Sequence, residues 1–192
     1  EIARAAGLQV LTVPSFDDLI SGRVTVSQIR NVELDDLLGR DPVKLDTAGL
    51  REWLGTCTVL VSGAGGSIGA ELCRQIARYN PQRIVLLENS EFPLYTIEQE
   101  FLRQMPGVAV SAVIGDVKDA QRMQHLLSAF KPTVIFHAAA YKHVPLMENE
   151  NTWQAVLNNV LGTRVLAEAA IAHAVEKFVL VSTDKAVNPT NV

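Results

Sequence analysis

The segment Thr58–Ala77, TVLVSGAGGSIGAELCRQIA, joins an apolar run to a helical pattern through a turn that contains four glycines. Thr58–Val61 is predicted to be a buried parallel strand, because it is short, apolar and followed by turn residues. Ser67–Tyr79 is predicted to be a helix. The residues at helical spacing on its predicted apolar face are Ile68, Leu72, Ile76 and Tyr79. A strand that enters a helix through such a turn is typical of a phosphate-binding unit.

Three glycines of the turn, Gly63, Gly66 and Gly69, have the spacing GxxGxxG. We expect Gly63 to form the tight bend, Gly66 to let a diphosphate approach the backbone, and Gly69 to let the helix pack closely. Backbone N–H groups at the helix start, those of Ser67 and Ile68 among them, then face the anion, and the helix dipole adds to the attraction. This spacing indicates a dinucleotide site of the short-chain dehydrogenase/reductase type.

A second apolar run, RIVLLE, ends in Glu88, which lies 19 residues after Gly69. A carboxylate at this distance accepts hydrogen bonds from the adenosine ribose, so Glu88 is predicted to hold that ribose. Its negative charge repels a 2′-phosphate, which favours NAD over NADP as the cofactor. The alternative is a solvent-exposed glutamate at a strand end.

Apolar strands and amphipathic helices alternate from the glycine-rich turn onward. This alternation predicts an α/β fold, a Rossmann-like doubly wound parallel sheet with both faces covered. Pro81, Pro106 and Pro132 lie between a helix and the next strand, where a helix must stop. The predicted strands are Thr58–Val61, Arg83–Leu87, Val108–Ile114, Thr133–His137 and Lys177–Val181. The predicted helices are Ser67–Tyr79, Glu91–Gln104, Asp119–Phe130 and Thr152–His173.

The chain is predicted to consist of three parts. Residues 1–30, with a strand over Leu8–Val13, are interpreted as the remnant of a preceding α/β domain, and residues 31–55 as a connector that ends in a short helix. Residues 56–192 are predicted to form the dinucleotide-binding part. Because Glu1 is not a natural start and NPTNV follows closely on the last strand, we expect a chain truncated at both ends.

Composition excludes several classes of protein. The 192 residues are 48% hydrophobic with a net charge of −4, so they can bury a core and offer no basic surface to nucleic acid. Cys57 and Cys73 have no metal-ligand spacing, and a reducing compartment is expected. No apolar run reaches the roughly 18 residues that cross a bilayer, so this chain itself is predicted to be soluble.

In a doubly wound sheet the ligand lies across the carboxyl ends of the strands, so the residues that follow each strand are binding candidates. After the third strand of this sheet, Asp116 can accept from the adenine amino group while Val117 packs on the ring. The alternative for Asp116 is an N-cap of the next helix. After the fourth strand, Ala138, Ala139 and Ala140 leave room for the backbone to run beside a ribose or nicotinamide.

Polar residues around these alanines are further candidates. His137 and His143 lack a cysteine or carboxylate partner, so no metal site is predicted, and His137 is interpreted as a packing residue. Lys142 can hold a diphosphate or the nicotinamide ribose, and a solvent-exposed loop lysine is its alternative. Asn158 and Asn159 interrupt an apolar helix face, where an asparagine can hold water or a backbone carbonyl, and Asn159 is predicted to contribute to the cofactor site.

After the fifth strand, Thr183, Asp184 and Lys185 place a hydroxyl, an acid and an amine in succession. At the carboxyl edge, beside a hydride acceptor, such groups are suited to proton transfer. Neighbouring strand side chains point to opposite faces, so Asp184 and Lys185 meet one substrate only if extended geometry ends near Ser182. A surface ion pair is the alternative.

Four segments carry a resemblance to a known family, namely SGAGGSIGAELCRQI, HAAAYKHVPLME, NNVLGT and VLVSTDKAVNPTNV. Together they resemble the CapD/WbpM-type nucleotide-sugar 4,6-dehydratases, within the extended short-chain dehydrogenases/reductases. The segment VELDDLLGRDPVKLD is similar to the connector that precedes the catalytic domain of that family. The resemblance covers nearly the whole chain, and STDKAVNP is its most specific motif.

The resemblance implies a reaction and residue roles. It implies NAD as cofactor, UDP-N-acetylglucosamine as substrate, and a UDP-linked 4-keto-6-deoxy sugar for surface polysaccharide or glycan synthesis as product. The implied steps are oxidation at C4, loss of the C5 proton to Lys185, departure of the C6 hydroxyl protonated by Asp184, and hydride return to C6. Thr183 is implied to bond the C4 oxygen. A neighbouring carboxylate favours the charged amine, so burial or a shuttled proton must make Lys185 a base.

The resemblance also implies features of a larger protein. Larger family members carry a membrane-spanning N-terminal region, so we expect the full-length protein at the cytoplasmic face of the inner membrane, as a possible homo-oligomer. The superfamily YxxxK pair is absent from the 192 residues, and its tyrosine position would follow Val192. Without that segment and the substrate-binding C-terminal part, this chain is predicted to bind NAD without turning over the sugar nucleotide.

Two other functions are compatible with the same cofactor site. A nucleotide-sugar epimerase shares it but does not use Asp184 and Lys185 for elimination. A non-catalytic NAD-binding module would bind the cofactor and consume no sugar nucleotide. Agreement of the motif context across four loops favours the dehydratase.

Overall fold

The computed structural model describes residues 11–12, 30–31, 46–183 and 186. The chain divides into two compact units, residues 1–45 and residues 46–192. In the first unit, β1 (Leu11–Thr12) pairs antiparallel with β2 (Arg30–Asn31). The strand predicted over Leu8–Val13 is extended at Leu11–Thr12, and its other residues lie outside the described part of the chain.

The second unit alternates helices and strands along the sequence. Its helices are α1 (Thr47–Gly55), α2 (Ser67–Ala77), α3 (Glu91–Gln104), α4 (Ala120–Phe130), α5 (Val144–Met147), α6 (Thr152–Ala155) and α7 (Thr163–Ala172). A π-helical segment, Val156–Gly162, joins α6 to α7. Its strands are β3 (Thr58–Ser62), β4 (Arg83–Glu88), β5 (Val110–Ile114), β6 (Val134–His137) and β7 (Lys177–Leu180).

The five strands of this unit form one parallel sheet in the order β5-β4-β3-β6-β7. In the central register, Leu60 lies beside Val85 on one side and Ile135 on the other. From β3 the chain first adds strands on one side and then returns to add β6 and β7 on the other. The predicted Rossmann-like doubly wound fold is confirmed, and its topological switch point lies between β3 and β6.

Both faces of the sheet are buried against helices. Successive residues of β3 alternate between the two faces, with Val59 and Val61 in one apolar cluster and Leu60 in the other. Helices α2 and α3 supply the first cluster with residues such as Cys73 and Phe101, while α4 and α7 supply the second. Each fully buried side chain of the size of Leu60 or Phe101 stabilises the fold by roughly 1.5–3 kcal/mol. Because both faces of the sheet are buried, the strand sequences are nearly continuous apolar runs.

The predicted apolar face of α2 faces the core except at Ile68, because Ile76 is buried and Leu72 and Tyr79 pack against the first cluster. Ile68, predicted on the apolar face, is 48% exposed, whereas Gly69, Cys73 and Ile76 are buried. Small residues on the buried side let the helix approach the glycine-rich turn closely, and this close approach outweighs the apolar character of Ile68. The helix ends at Ala77 rather than at Tyr79.

Two further predicted elements need correction. The third strand of the sheet begins at Val110 instead of Val108, because Val108 N–H closes a turn onto the Met105 carbonyl at 3.0 Å. The helix predicted over Thr152–His173 ends at Ala172 and contains the π-helical segment. Among the described residues, no helix combines the length and apolar character that a bilayer crossing requires.

Candidate active site

The chain bends at Gly63, as predicted. Its φ of 69° lies in the left-handed region that favours glycine. A Cβ at this position would lie 2.9 Å from the Ala138 oxygen and from the Ala139 nitrogen and Cα. The turn after β3 therefore touches the loop after β6, and the residue between them must be glycine.

The start of α2 is open to an anion. Gly66 is the N-cap of the helix, with φ −74° and ψ 164°, and no side chain caps this end. Ser67 and Ile68, the first helical residues, are exposed. Gly66 N–H donates to the Gly63 carbonyl at 3.0 Å, which closes the turn. Backbone N–H groups at an uncapped helix start form a suitable site for a phosphate group.

Glu88 connects the end of β4 to this turn. Its Oε2 accepts a hydrogen bond from Gly65 N–H at 3.0 Å, and its Oε1 accepts from Asn89 N–H at 2.9 Å and Ser90 N–H at 3.4 Å. The carboxylate is thus fixed at the carboxyl edge of the sheet, beside the glycine-rich turn, where a ribose acceptor is expected.

A cleft of about 160 Å³ opens at the carboxyl edge, above the switch point between β3 and β6. Seven of the predicted cofactor residues line it: Gly63, Gly66, Glu88, Val117, Ala138, Ala139 and Ala140. The walls are mostly small or apolar. The cleft is thus suited to a flat ring system with a polar group near the turn.

Other predicted residues lie outside this lining. Ser67 and Ile68 lie on α2 beside it, and Gly69 faces the backbone of the turn. Lys142 is exposed in the loop that follows the three alanines. His143, next in the chain, is exposed as well.

Asp116 is paired with a neighbouring lysine. Its Oδ2 lies 2.6 Å from Lys118 Nζ, and its Oδ1 accepts from Lys118 N–H at 2.9 Å. Partial burial raises the pKa of Asp116, but the hydrogen bonds from Lys118 outweigh it and leave the pKa below its ordinary value. The N-cap alternative for Asp116 is wrong, because Asp119 caps α4 by accepting Arg122 N–H at 2.9 Å.

Two consecutive asparagines of the π-helical segment contact the segment after β6, which consists of Ala138–Ala140 (the alanine loop) and the next residue, Tyr141. Asn159 Oδ1 accepts from Tyr141 N–H at 2.9 Å, and Asn159 Nδ2 donates to the Tyr141 carbonyl at 2.8 Å. The buried Asn158 donates from Nδ2 to the Ala139 carbonyl at 3.2 Å and to Asn159 Oδ1 at 3.0 Å. Asn159 therefore meets the loop backbone, as expected of an asparagine here, and Asn158 lines the cleft.

A buried histidine at the end of β6 directly precedes the alanine loop. His137, only 2% exposed, has Nδ1 at 2.6 Å from Ser62 Oγ and Nε2 at 2.8 Å from Thr163 Oγ1. Burial lowers the pKa of His137 to about 4, so the ring is neutral at physiological pH. The Phe178 ring lies 6.0 Å away between centroids. His137 thus packs at the strand end, as interpreted from the sequence, and also bridges two hydroxyl groups.

The predicted catalytic residues follow β7. Val181 N–H donates to the His137 carbonyl at 3.0 Å, so the end of β7 lies beside the end of β6. Thr183 is exposed, and its carbonyl accepts from Ala186 N–H at 3.1 Å. Asp184 and Lys185 lie outside the described residues.

Sequence reasoning did not assign to the cofactor site five residues that line the cleft: Leu87, Asn89, Gly115, Tyr141 and Asn158. Asn89 and Gly115 follow the ends of β4 and β5, so the rule that selected Glu88 and Val117 also applies to them. Leu87 is a core residue whose side chain reaches the position where a Gly115 Cβ would lie, 3.0 Å away. No local sequence signal distinguishes it.

Comparison with known proteins places these features in a family. A family model described as polysaccharide biosynthesis protein matches residues 59–192. The chain is 46% identical to the capsular polysaccharide biosynthesis protein CapD of Staphylococcus aureus, over all of this chain and 32% of that protein. It is 32% identical to an inverting UDP-N-acetylglucosamine 4,6-dehydratase of Campylobacter jejuni, over 70% of this chain and 38% of that enzyme.

A third relative carries a different activity in its name. The UDP-glucose 4-epimerase of Rickettsia canadensis is 33% identical over 70% of this chain and 39% of its own length. The chain spans about a third of the length of the curated relatives it matches.

Solved structures share the fold. Pen from Bacillus thuringiensis superposes with a TM-score of 0.64 at 30% identity, over 72% of this chain and 42% of that one. A UDP-glucose 4-epimerase from Stenotrophomonas maltophila, solved with bound NAD, gives a TM-score of 0.59 at 24% identity, over 67% of this chain and 38% of that one. Both structures therefore share the fold of this chain over about 67–72% of its length.

Proposed function

Because this chain belongs to the polysaccharide biosynthesis protein family, we propose that its protein is an NAD-dependent UDP-N-acetylglucosamine 4,6-dehydratase. The product would be a UDP-linked 4-keto-6-deoxy sugar for surface polysaccharide or glycan synthesis. The observation that carries the proposal is the cleft at the switch point, together with the motif STDK, which follows β7, the strand beside β6. The name of the C. jejuni relative supports the same reaction.

The residues of the cleft fit a dinucleotide. Gly63 and Gly66 have no side chain, so a diphosphate can approach the backbone of the turn. At Gly63 a Cβ would contact the alanine loop. At the start of α2, no side chain caps the helix. Gly66 and the first N–H groups of α2 would hold the diphosphate. Glu88 would accept from the adenosine ribose hydroxyls, and its charge would oppose a 2′-phosphate, so NAD is favoured.

When bound, NAD would supply a hydride acceptor at C4 of the sugar and a hydride donor at C6, and the C4 hydroxyl proton would pass to water. Thr183 would donate a hydrogen bond to the C4 oxygen and hold the sugar in place. Lys185 would remove the C5 proton, which is acidified by the neighbouring carbonyl group, and C5 would take up a proton again when the hydride adds to C6. Asp184 would protonate the C6 hydroxyl as it leaves as water. These roles rest on the match of Thr183, Asp184 and Lys185 to the family motif.

Product analysis in D₂O tests the proposal. The full-length gene product is incubated with UDP-N-acetylglucosamine and NAD, and the sugar is followed by ¹H NMR. A dehydratase produces a new C6 methyl signal, and the product carries deuterium at C5 because that proton exchanges with solvent. The Asp184→Asn variant should lose the methyl signal while C4 oxidation survives. A substrate that is unchanged with the wild-type protein would contradict the proposal.

An epimerase is the second candidate, favoured by the 33% identity to the R. canadensis enzyme. In the same experiment an epimerase inverts C4, forms no methyl group and incorporates no deuterium at C5. The third outcome, NAD binding without any change in the sugar nucleotide, identifies a non-catalytic module. The spectra therefore separate the three functions.

The proposal extends to the larger protein and to the chain by itself. The full-length protein is proposed to be an inner-membrane protein with its site on the cytoplasmic side, and to be a homo-oligomer. Fractionation of cell membranes and light scattering test these points. The 192-residue chain is proposed to bind NAD but to be inactive, and measured turnover by that chain would refute this.

A further inference from the structure

We propose that Ser62, His137 and Thr163 form a positioning network that fixes the alanine loop (Ala138–Ala140) against the glycine-rich turn and thereby sets the affinity for the dinucleotide. The inference rests on the proposed function, because it assumes that the cleft is the cofactor site. None of the three is proposed as a catalytic residue. They would act through the backbone segments that follow them.

The three side chains come from three elements that meet at the cleft. Ser62 is the last residue of β3 and directly precedes Gly63. His137 is the last residue of β6 and directly precedes the alanine loop. Thr163 is the first residue of α7, directly after the π-helical segment that carries Asn158. A shift of the imidazole ring would therefore displace the turn, the loop or the π-helical segment.

The hydrogen bonds leave the ring no free nitrogen. A neutral imidazole has one donor and one acceptor nitrogen, so one of the two hydroxyl groups accepts and the other donates. With contacts of 2.6 Å to Ser62 and 2.8 Å to Thr163, both positions are used. Ser62 is fully buried, and its carbonyl also accepts from Ala138 N–H at 3.1 Å. Loss of either hydroxyl would leave a ring nitrogen unpaired in the interior.

A second connection makes the loop a shared structure. Asn158 holds the Ala139 carbonyl from the π-helical segment, at 3.2 Å. Gly63 lies so close to Ala138 and Ala139 that a Cβ would be 2.9 Å from them. The alanine loop therefore contacts the end of β3 and Gly63 on one side and Asn158 of the π-helical segment on the other, and it directly follows His137. A buried polar network of this kind specifies one position more strictly than apolar packing alone, provided that every member is paired. Among the described residues, no buried side-chain nitrogen or oxygen lacks a partner.

A matched pair of variants at Thr163 tests the network. Thr163→Val keeps the shape and removes the hydroxyl, whereas Thr163→Ser keeps the hydroxyl and removes a methyl group. In the full-length gene product without cofactor, hydrogen–deuterium exchange is measured for peptides that cover residues 138–141. We expect Thr163→Val to speed this exchange about fivefold or more, and Thr163→Ser to change it less than about twofold.

Peptides from β4 and β5 supply the internal control. A general loss of stability would speed their exchange as well, so unchanged rates there assign the effect to the alanine loop. The NAD⁺ dissociation constant is then measured by calorimetry under conditions where every variant is folded. Thr163→Val should weaken binding about tenfold, with near-wild-type affinity for Thr163→Ser.

The outcomes separate the inference from the proposed function. If the wild-type protein binds NAD⁺ and both Thr163 variants match it in exchange and affinity, the positioning network is wrong and the cofactor site stands. If the wild-type protein binds no NAD⁺, the proposed function fails, whatever the exchange rates are. Ser62→Ala provides an independent check at the other ring nitrogen and should reproduce the effect of Thr163→Val.

Discussion

Gly69, on the first turn of α2, packs directly against the backbone carbonyl of Gly63. A Cβ at position 69 would overlap the Gly63 oxygen and lie 2.7 Å from its carbon. The helix therefore begins as close to the turn as two backbones can approach. This packing aims the N–H groups at the start of α2 along the turn, where the cleft opens.

Gly69→Ala is expected to destabilise the fold by about 2–3 kcal/mol, because the methyl group meets backbone atoms that no side-chain rotation can move. Gly66→Ala is the matched control. Its Cβ would lie 3.3 Å from the Gly63 oxygen, at a φ that any residue adopts. Urea unfolding measures both variants. Equal loss of stability in the two would contradict the assignment of Gly69 to packing.

The same Gly66→Ala variant should lose cofactor affinity while it stays folded. A methyl group at the N-cap of α2 occupies the space in which a diphosphate approaches the backbone. Calorimetry should show NAD⁺ binding weakened about tenfold or more. Wild-type affinity in this variant would mean that the diphosphate does not approach at Gly66.

Glu88→Gln should relax the choice between NAD and NADP. The amide retains an oxygen that can accept from Gly65 N–H, whose bond to the carboxylate measures 3.0 Å, but the charge that repels a 2′-phosphate is gone. The ratio of the NADP⁺ to the NAD⁺ dissociation constant should fall about tenfold. Glu91→Gln, an exposed glutamate at the start of α3, is the control and should leave the ratio unchanged.

Acid should weaken the fold through His137. Its pKa is about 4 in the folded chain and 6.5 as the ordinary value, so the unfolded state binds the proton first as the pH falls. The resulting stability is present above pH 6.5 and is lost towards pH 4, up to about 3 kcal/mol in total.

The measurement is the free energy of unfolding between pH 4.5 and pH 6.5. His137→Gln carries no titrating ring and should flatten this part of the profile, even if its stability is lower throughout. The exposed His125 on α4 supplies the control, and His125→Gln should keep the wild-type slope. An unchanged slope in His137→Gln would show that His137 is not buried in its neutral form.

The fold could be predicted from the sequence because its signals are local. Strand and helix spans follow from apolar periodicity, and the glycine spacing required the bend that Gly63 makes. The family resemblance is confirmed by the match over residues 59–192. The exposure of Ile68 could not be predicted in this way, since it follows from the close backbone packing at Gly69.

Part of the site depended on contacts between distant residues. Ser62 and Thr163 lie 75 and 26 positions from His137 along the chain, so no local pattern indicated their hydrogen bonds. The π-helical segment was missed for a similar reason, because its side-chain contacts with the alanine loop are tertiary. The predicted roles of Thr183, Asp184 and Lys185 stay predictions, and the last two residues lie outside the described part of the chain.

The most direct test of the central claim is a crystal structure of the full-length gene product with NAD⁺. We expect electron density for the diphosphate at the turn from Gly63 to Gly66, for the adenosine ribose at Glu88, and for the nicotinamide end towards Thr183. Density for the cofactor at another place, or an empty cleft at saturating NAD⁺, would contradict the account.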